Sequence, residues 1–136
     1  MNDNLSKKIL IIEDEEALLN LLAEKFEEKS FTVEKAKNGV EGLTKALNSH
    51  PDVILLDLVM PGMDGITMLQ KLRDDEWGKD AYVHVLTNKD DTSSISETMD
   101  LKISQYMVKS DWKINDLVNQ IATNLEILQK NTPKNN

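Results

Sequence analysis

Pro51-Asp52-Val53-Ile54-Leu55-Leu56-Asp57-Leu58-Val59-Met60-Pro61-Gly62-Met63-Asp64-Gly65 is the stretch around which the chain is organised. Four consecutive aliphatic residues, Val53 to Leu56, have the pattern of a parallel strand buried on both faces. The strand ends on a carboxylate, Asp57, and a loop carrying Pro61, Gly62 and Gly65 follows. In an open parallel α/β sheet, ligand chemistry sits beyond the carboxyl ends of the strands. An acid at that position is either a turn former or a reactive group, and Asp57 alone does not decide between them.

Working outward, residues 7–12 (Lys-Lys-Ile-Leu-Ile-Ile) form a second buried run, ending at Glu13-Asp14-Glu15-Glu16. A helix follows, with Leu18, Leu21, Leu22 and Phe26 at spacings of three and four. Residues 31–36 form a short strand of weaker alternation, as expected near a sheet edge. Asn38-Gly39 marks a turn, and the next helix carries Val40, Leu43, Ala46 and Leu47 before stopping at Pro51. After the central strand, Ile66, Leu69 and Leu72 mark a third helix, closed by a polar connection at 74–79.

Residues 81–86 form a fourth strand that ends at Thr87. Residues 90–100, rich in Ser and Thr, form a weakly specified helix anchored by Ile95 and Met99. A fifth strand over 102–108 ends at Lys109, and Asp111 can cap a last helix. Its apolar face is Ile114, Leu117, Val118, Ile121, Leu125 and Leu128. Residues 1–6 and 129–136 are polar and expected to be flexible. The second is too short for an output domain.

Strand and helix alternate five times, which predicts a doubly wound, five-stranded parallel sheet of order 2-1-3-4-5 with helices on both faces. That order brings the end of 7–12 beside the end of 53–56. Glu13, Asp14 and Asp57 then converge, although more than forty positions separate them.

With 136 residues the chain suits one domain with a real core, and 40% hydrophobic content is ordinary for a soluble protein. The absence of cysteine excludes disulfides, a thiol nucleophile and thiolate metal sites. A net charge of −8 argues against a nucleic-acid partner. The apolar runs are far short of a membrane span, and the N-terminus lacks the apolar core of a secretion signal, so a cytoplasmic address is expected.

Taken singly, each polar group has an ordinary reading. The 13–16 acidic run favours a helix N-terminus, Thr87 is a strand end or cap, and Lys109 is a loop cation. Their shared rim changes this, because four of five strands end in these groups. Carboxylates about 4–6 Å apart repel by several kcal/mol per pair at an effective dielectric near 20. A hard divalent cation resolves that conflict, and Mg²⁺ suits two carboxylates, a backbone carbonyl and several waters. Asp57 is the best placed nucleophile, and attack by its carboxylate on phosphorus yields an aspartyl phosphate. Lys109 and Thr87 would steady the phosphoryl oxygens.

Ile-Leu-Ile-Ile-Glu13-Asp14-Glu15, Leu-Leu-Asp57-Leu-Val-Met-Pro61-Gly-Met-Asp-Gly65, Val-Leu-Thr87 and Tyr106-Met-Val-Lys109 together resemble a bacterial response-regulator receiver domain, of the stand-alone, chemotaxis-regulator-like kind. The resemblance covers residues 7–128 and implies a flavodoxin-like fold. It implies that Asp57 accepts a phosphoryl group from a histidine kinase or phosphotransfer protein. It further implies Mg²⁺ on Asp14, Asp57 and the Val59 carbonyl, with Glu13 acting through water. Thr87 and Lys109 match the residues that read the phosphoryl group, and Tyr106 matches the aromatic switch. The output face would be the 90–100 helix, the fifth strand and the last helix, acting on a downstream protein target. The chain would be a monomer or weak dimer, and a switch with self-phosphorylation and self-dephosphorylation chemistry rather than a turnover enzyme.

The chain departs from the family pattern at several positions. Glu13 replaces the more common Asp, and Ser110 follows Lys109 where a cis proline is usual. Asn88 stands where a very small residue is preferred. Lys102-Ile103 replaces a Gly-Ala, removing an easy left-handed helix end and making the 90–102 helix the expected least stable element. Val59 and Lys89 occupy positions that tune phosphate lifetime in the family, and apolar Val59 implies slow self-dephosphorylation. His84 reads as a packed core histidine, and His50 as a loop residue far from the motifs. Trp77 and Trp112 read as covers for loop or helix ends, and Asp64 as a loop hydrogen-bonder. The competing readings are a phosphorylation-independent adaptor and a metal-dependent phosphatase. The latter usually has an Asp where Val59 stands. Flavin binding rests on fold analogy alone.

Overall fold

The computed structural model describes residues 7–88 and 95–130. The elements run β1 (Lys8–Ile12), α1 (Glu16–Glu28), β2 (Thr32–Ala36), α2 (Gly39–Ser49), β3 (Val53–Asp57), α3 (Gly65–Arg73), β4 (Val83–Thr87), α4 (Ile95–Asp100), β5 (Gln105–Val108) and α5 (Ile114–Lys130). The five strands pair in parallel in the order β2-β1-β3-β4-β5, as the alternation predicts. β3 is central and buried throughout, whereas β2, at the edge, is mostly half-buried or exposed.

Because successive strand side chains point to opposite faces, the sheet divides its aliphatics between two cores. Ile9, Ile11, Val53, Leu55 and Leu86 pack with Leu19, Phe26, Leu117 and Ile121 of α1 and α5. Leu10, Ile12, Ile54, Leu56, Val83 and Val85 pack with Ala46, Met68, Leu69 and Leu72 of α2 and α3.

Several details differ from the sequence expectation. α1 buries Leu19, Leu22, Ala23 and Phe26, leaving Leu21 exposed; Val40 on α2 is exposed as well. Among the described side chains of α4 the buried one is Thr98, and Met99 is 56% exposed rather than an anchor. Asp90 and the other positions before α4 lie outside the described residues, as does Lys89, and so do the side chains of Ile95 and Leu128. Asp111 does not cap α5. It closes a 3-10 turn, Lys109–Asp111, while α5 begins at Ile114 with its first bond running from the Leu117 N–H to the Lys113 carbonyl at 2.9 Å. The Lys109–Ser110 peptide is trans.

The left-handed end of α4 survives without its glycine. Lys102 itself takes φ 61°, at a steric cost of about 1 kcal/mol for a side chain with a Cβ. Lys102→Gly is expected to raise stability in urea unfolding by about 0.5–1 kcal/mol, since the side chain is exposed and the turn is retained.

His84 is a core histidine, 1% exposed, with neither ring nitrogen hydrogen-bonded. Burial pushes its pKa down to about 4. The unfolded chain therefore takes up this proton near pH 6.5 while the native state does not, so His84 costs stability as pH falls from 6.5 towards 4. Relative to His84→Leu, the wild-type chain is expected to lose about 2–3 kcal/mol across that window. Parallel urea titrations of the two proteins measure it.

Candidate phosphoryl-acceptor and cation site

β1, β3, β4 and β5 run parallel, so their carboxyl ends share one rim, and the sequence places a functional group on each. Glu13 follows β1, Asp57 ends β3, Thr87 ends β4 and Lys109 follows β5. Glu13 and Asp57 are 1% and 3% exposed, unusual burial for carboxylates unless something compensates it. One carboxylate oxygen each from Glu13, Asp14 and Asp57 lies within 4.8 Å of the others.

The Lys109 ammonium provides part of the compensation. Its Nζ lies 3.0 Å from Glu13 Oε1 and 3.5 Å from Asp57 Oδ2. Backbone donors supply more: the Glu15 N–H donates to Glu13 Oε2 at 3.1 Å, and the Val59 N–H to Asp57 Oδ1 at 3.2 Å. These do not suffice for Asp57. Burial above all, then the Glu13 charge and more weakly that of Asp14, pushes its pKa up to about 7, against the pull of Lys109 and the Val59 amide. Burial acts to lower the pKa of Lys109, but Asp57 and Glu13 outweigh it and hold the ammonium above its ordinary range.

Thr87 is fully buried, and its hydroxyl has no hydrogen-bond partner. An orphaned hydroxyl beside a strained acidic cluster is a donor waiting for an acceptor. Tyr106 pairs with Val85 in the β4–β5 register and is half-buried against the α2/α3-side core. Val59 projects an exposed side chain beside Asp57, and Asn88 is exposed just past Thr87. Glu13, Asp14, Asp57 and Lys109 are thus brought into direct proximity, with Thr87 on the adjoining strand end.

The loop leaving Asp57 is held at its far end by α3. The Gly65 N–H donates to the Leu58 carbonyl at 2.8 Å, and a Cβ on Gly65 would lie 2.6 Å from the Asp57 carbonyl oxygen. Asp64 caps α3, its Oδ1 accepting the Thr67 N–H at 2.8 Å, as its reading as a loop hydrogen-bonder anticipates. His50 and Trp77 stack on each other at 4.3 Å between ring centroids, past the end of α2 and away from the acidic rim. Trp112 packs against the α1/α5-side core.

Three clustered carboxylates suit a hard divalent cation, and the donor set is all oxygen, as Mg²⁺ prefers. At about 4 Å and an effective dielectric near 20, each unscreened pair costs about 4 kcal/mol. Among the described residues, Lys109 brings one positive charge to two buried acids and exposed Asp14, which leaves the cluster short of cationic charge.

The family model for the response regulator receiver domain matches residues 9–122. The chain is 34% identical over 105 residues to response regulator PleD of Caulobacter vibrioides, covering 77% of this chain and 23% of that protein. It is 34% identical over 125 residues to the alkaline phosphatase synthesis transcriptional regulatory protein PhoP of Bacillus subtilis, covering 90% of this chain and 51% of that one. The chain therefore spans between about a quarter and about half the length of these curated relatives. A CheY-like receiver domain protein from Methanospirillum hungatei shares the fold with a TM-score of 0.83 at 24% identity, over 93% of this chain and 99% of that one. Strand order, the buried acidic rim and the match over nearly the whole sheet converge: the chain belongs to the response regulator receiver domain family.

Proposed function

We propose that this chain is a phosphorylation-dependent switch of a two-component phosphorelay, with residues 7–128 as the receiver and Asp57 as phosphoacceptor. The observation that carries the reading is the Lys109 ammonium lodged between buried Glu13 and Asp57, at the rim where the unpartnered Thr87 hydroxyl also lies. Acceptor, charge neutraliser and hydrogen-bond donor occupy one rim.

An Asp57 carboxylate oxygen attacks phosphorus in a phosphohistidine or a small acyl phosphate. The new O–P bond forms as the bond from phosphorus to the donor nitrogen or oxygen breaks, and the donor leaves with that electron pair. Lys109 neutralises charge on the transferred group, and the Thr87 hydroxyl donates to one of its oxygens. Asp14, Asp57 and the Val59 carbonyl would hold Mg²⁺ directly, with Glu13 through water. When bound, Mg²⁺ would supply positive charge to the transferring phosphoryl group. Drawing Thr87 towards the phosphoryl group opens space for Tyr106 to turn inward, which alters the α4–β5–α5 face offered to a downstream protein. The apolar Val59 side chain cannot orient a hydrolytic water, so the acyl phosphate is expected to be long-lived. A histidine kinase or phosphotransfer protein is the donor, the setting is cytoplasmic, and the switch is a monomer or weak dimer.

The test is incubation with MgCl₂ and acetyl phosphate, read by intact mass, with beryllofluoride binding read by tyrosine and tryptophan fluorescence. One labile phosphoryl adduct, absent in Asp57→Ala, is the expected result. A folded protein with no adduct would instead be an adaptor, and sustained phosphate release from many organic phosphates would indicate a phosphatase.

A further inference from the structure

If the Val59 carbonyl is a cation ligand, whatever holds the 58–64 loop holds the ligand too. On one side that is α3, through Gly65. On the other it is the first residue of α2. A Cβ on Gly39 would lie 2.5 Å from the Met63 carbonyl oxygen, and 3.0 and 3.1 Å from Met63 Cγ and Cβ. The nearest obstacle is backbone, which cannot swing aside as a side-chain tip can.

Glycine here is not a conformational requirement, because Gly39 lies outside the positive-φ region that only Gly62 among the described glycines occupies. In the first turn of a helix it even costs propensity relative to alanine. What the position demands is space. The same turn also backs the opposite wall of the site: the Ala36 carbonyl accepts the Glu13 N–H at 3.0 Å. Asn38 and Glu41 lock the turn, with Asn38 Oδ1 accepting the Glu41 N–H at 2.8 Å and Glu41 Oε1 accepting the Lys37 N–H at 2.9 Å. Residues 36–39 therefore touch both the strand end bearing Glu13 and the loop leaving Asp57.

We propose that Gly39 is a positioning residue for the cation and phosphoryl site, holding the Val59 carbonyl and Asp57 in register with Glu13 and Asp14 through its close approach to Met63. The proposal rests on the receiver-site reading above. Any larger residue pushes Met63 outward, and the loop with it, while the fold around the sheet persists.

Isothermal titration of the full chain with MgCl₂ tests this on the wild type, Gly39→Ala, Gly42→Ala and Asn38→Ala. Gly42→Ala is the control, because it lies on the same helix but its Cβ would meet the Ile12 side chain, 2.5, 2.8 and 3.0 Å from Cδ1, Cγ1 and Cγ2, rather than the loop. Gly39→Ala is expected to weaken Mg²⁺ binding by about tenfold or more while melting cooperatively. Gly42→Ala loses stability and keeps wild-type Mg²⁺ affinity. Wild-type affinity in Gly39→Ala would make the contact merely structural and overturn the proposal. Should Gly39→Ala fail to fold, Asn38→Ala decides: weaker Mg²⁺ binding supports the proposal, and unchanged binding overturns it. A wild-type chain that takes up no Mg²⁺ sinks the receiver-site reading itself, before any variant is compared.

Discussion

Replacing Asp57 with Asn is expected to stabilise the protein by about 4 kcal/mol at pH 8 in EDTA, even though it removes the proposed phosphoacceptor. The Asp57 pKa is pushed from 3.8 to about 7, by burial first and by Glu13 next. Between pH 4 and 7 the native state consequently binds more protons than the unfolded chain, and stability falls as pH rises through that window. Above pH 7 the full penalty is present in the wild type, and the neutral amide of the Asp57→Asn variant does not carry it. Below pH 4 Asp57 is neutral in both states, so the advantage vanishes. Urea unfolding of both proteins from pH 4 to 8 measures the gap; a constant gap, or a less stable variant at pH 8, would refute the argument.

Mg²⁺ sharpens this prediction. A cation that binds only the native state stabilises it by mass action, and the wild-type chain has the charge to attract one. Adding MgCl₂ at pH 8 should raise wild-type stability strongly, raise that of Asp57→Asn little, and so close the gap. On the proposed function, the site itself is the source of the instability: the crowding of carboxylates that would favour a cation and a phosphoryl group at Asp57 costs the native fold stability. His84 works in the opposite sense between pH 4 and 6.5, where the native chain fails to gain a proton that the unfolded chain takes up. The two groups partly offset each other in the wild-type protein between pH 4 and 6.5, so the pH dependence of each is read from the gap to the variant that lacks it.

What the sequence made legible follows from physics that acts locally or by topology. Val53 to Leu56 and Ile9 to Ile12 are uninterrupted aliphatic runs, and a doubly covered parallel strand buries every residue of such a run. Once strand order follows from the alternation, the shared position of Glu13, Asp57 and Lys109 at one rim is a geometric consequence. The orientation of α1 was not legible, because Leu18, Leu19, Leu21 and Leu22 offer two overlapping apolar stripes. Packing against Phe31 and α5 selects the stripe with Leu19 and Ala23. Thr98 and Met99 show the same limit, since the Ser- and Thr-rich stretch over 90–100 holds too few apolar residues for periodicity to choose a face. Gly39 read as a turn signal, and only its distance from the Met63 backbone gives it another role. Arg73 gave no signal at all, because its partners are main-chain carbonyls, which every residue possesses.

Arg73→Ala is expected to cost about 3–5 kcal/mol, for reasons unrelated to the acidic site. Arg73 ends α3, and its guanidinium joins three segments. Nε donates to the Leu101 carbonyl at 2.8 Å, Nη1 to Gly78 and Ala81 at 2.7 and 2.9 Å, and Nη2 to Lys102 at 3.2 Å. Charge-assisted bonds of this kind contribute more than neutral ones, and their loss leaves part-buried carbonyls without this donor. Arg73→Lys retains the charge but not the planar fork, so it should recover less than half of the loss. The clamp also bears on the φ of 61° at Lys102: with the left-handed turn in place, the Leu101 and Lys102 carbonyls both accept from one guanidinium. A double-mutant cycle separates this account from simple loss of contacts. With Arg73 in place, Lys102→Gly relieves an enforced strain and stabilises the protein. In the Arg73→Ala background the turn is free to relax, so the same glycine should gain less, a non-additivity of about 0.5 kcal/mol or more. Full additivity would mean that the left-handed turn is held by α4 and β5 themselves, with Arg73 only resting on it.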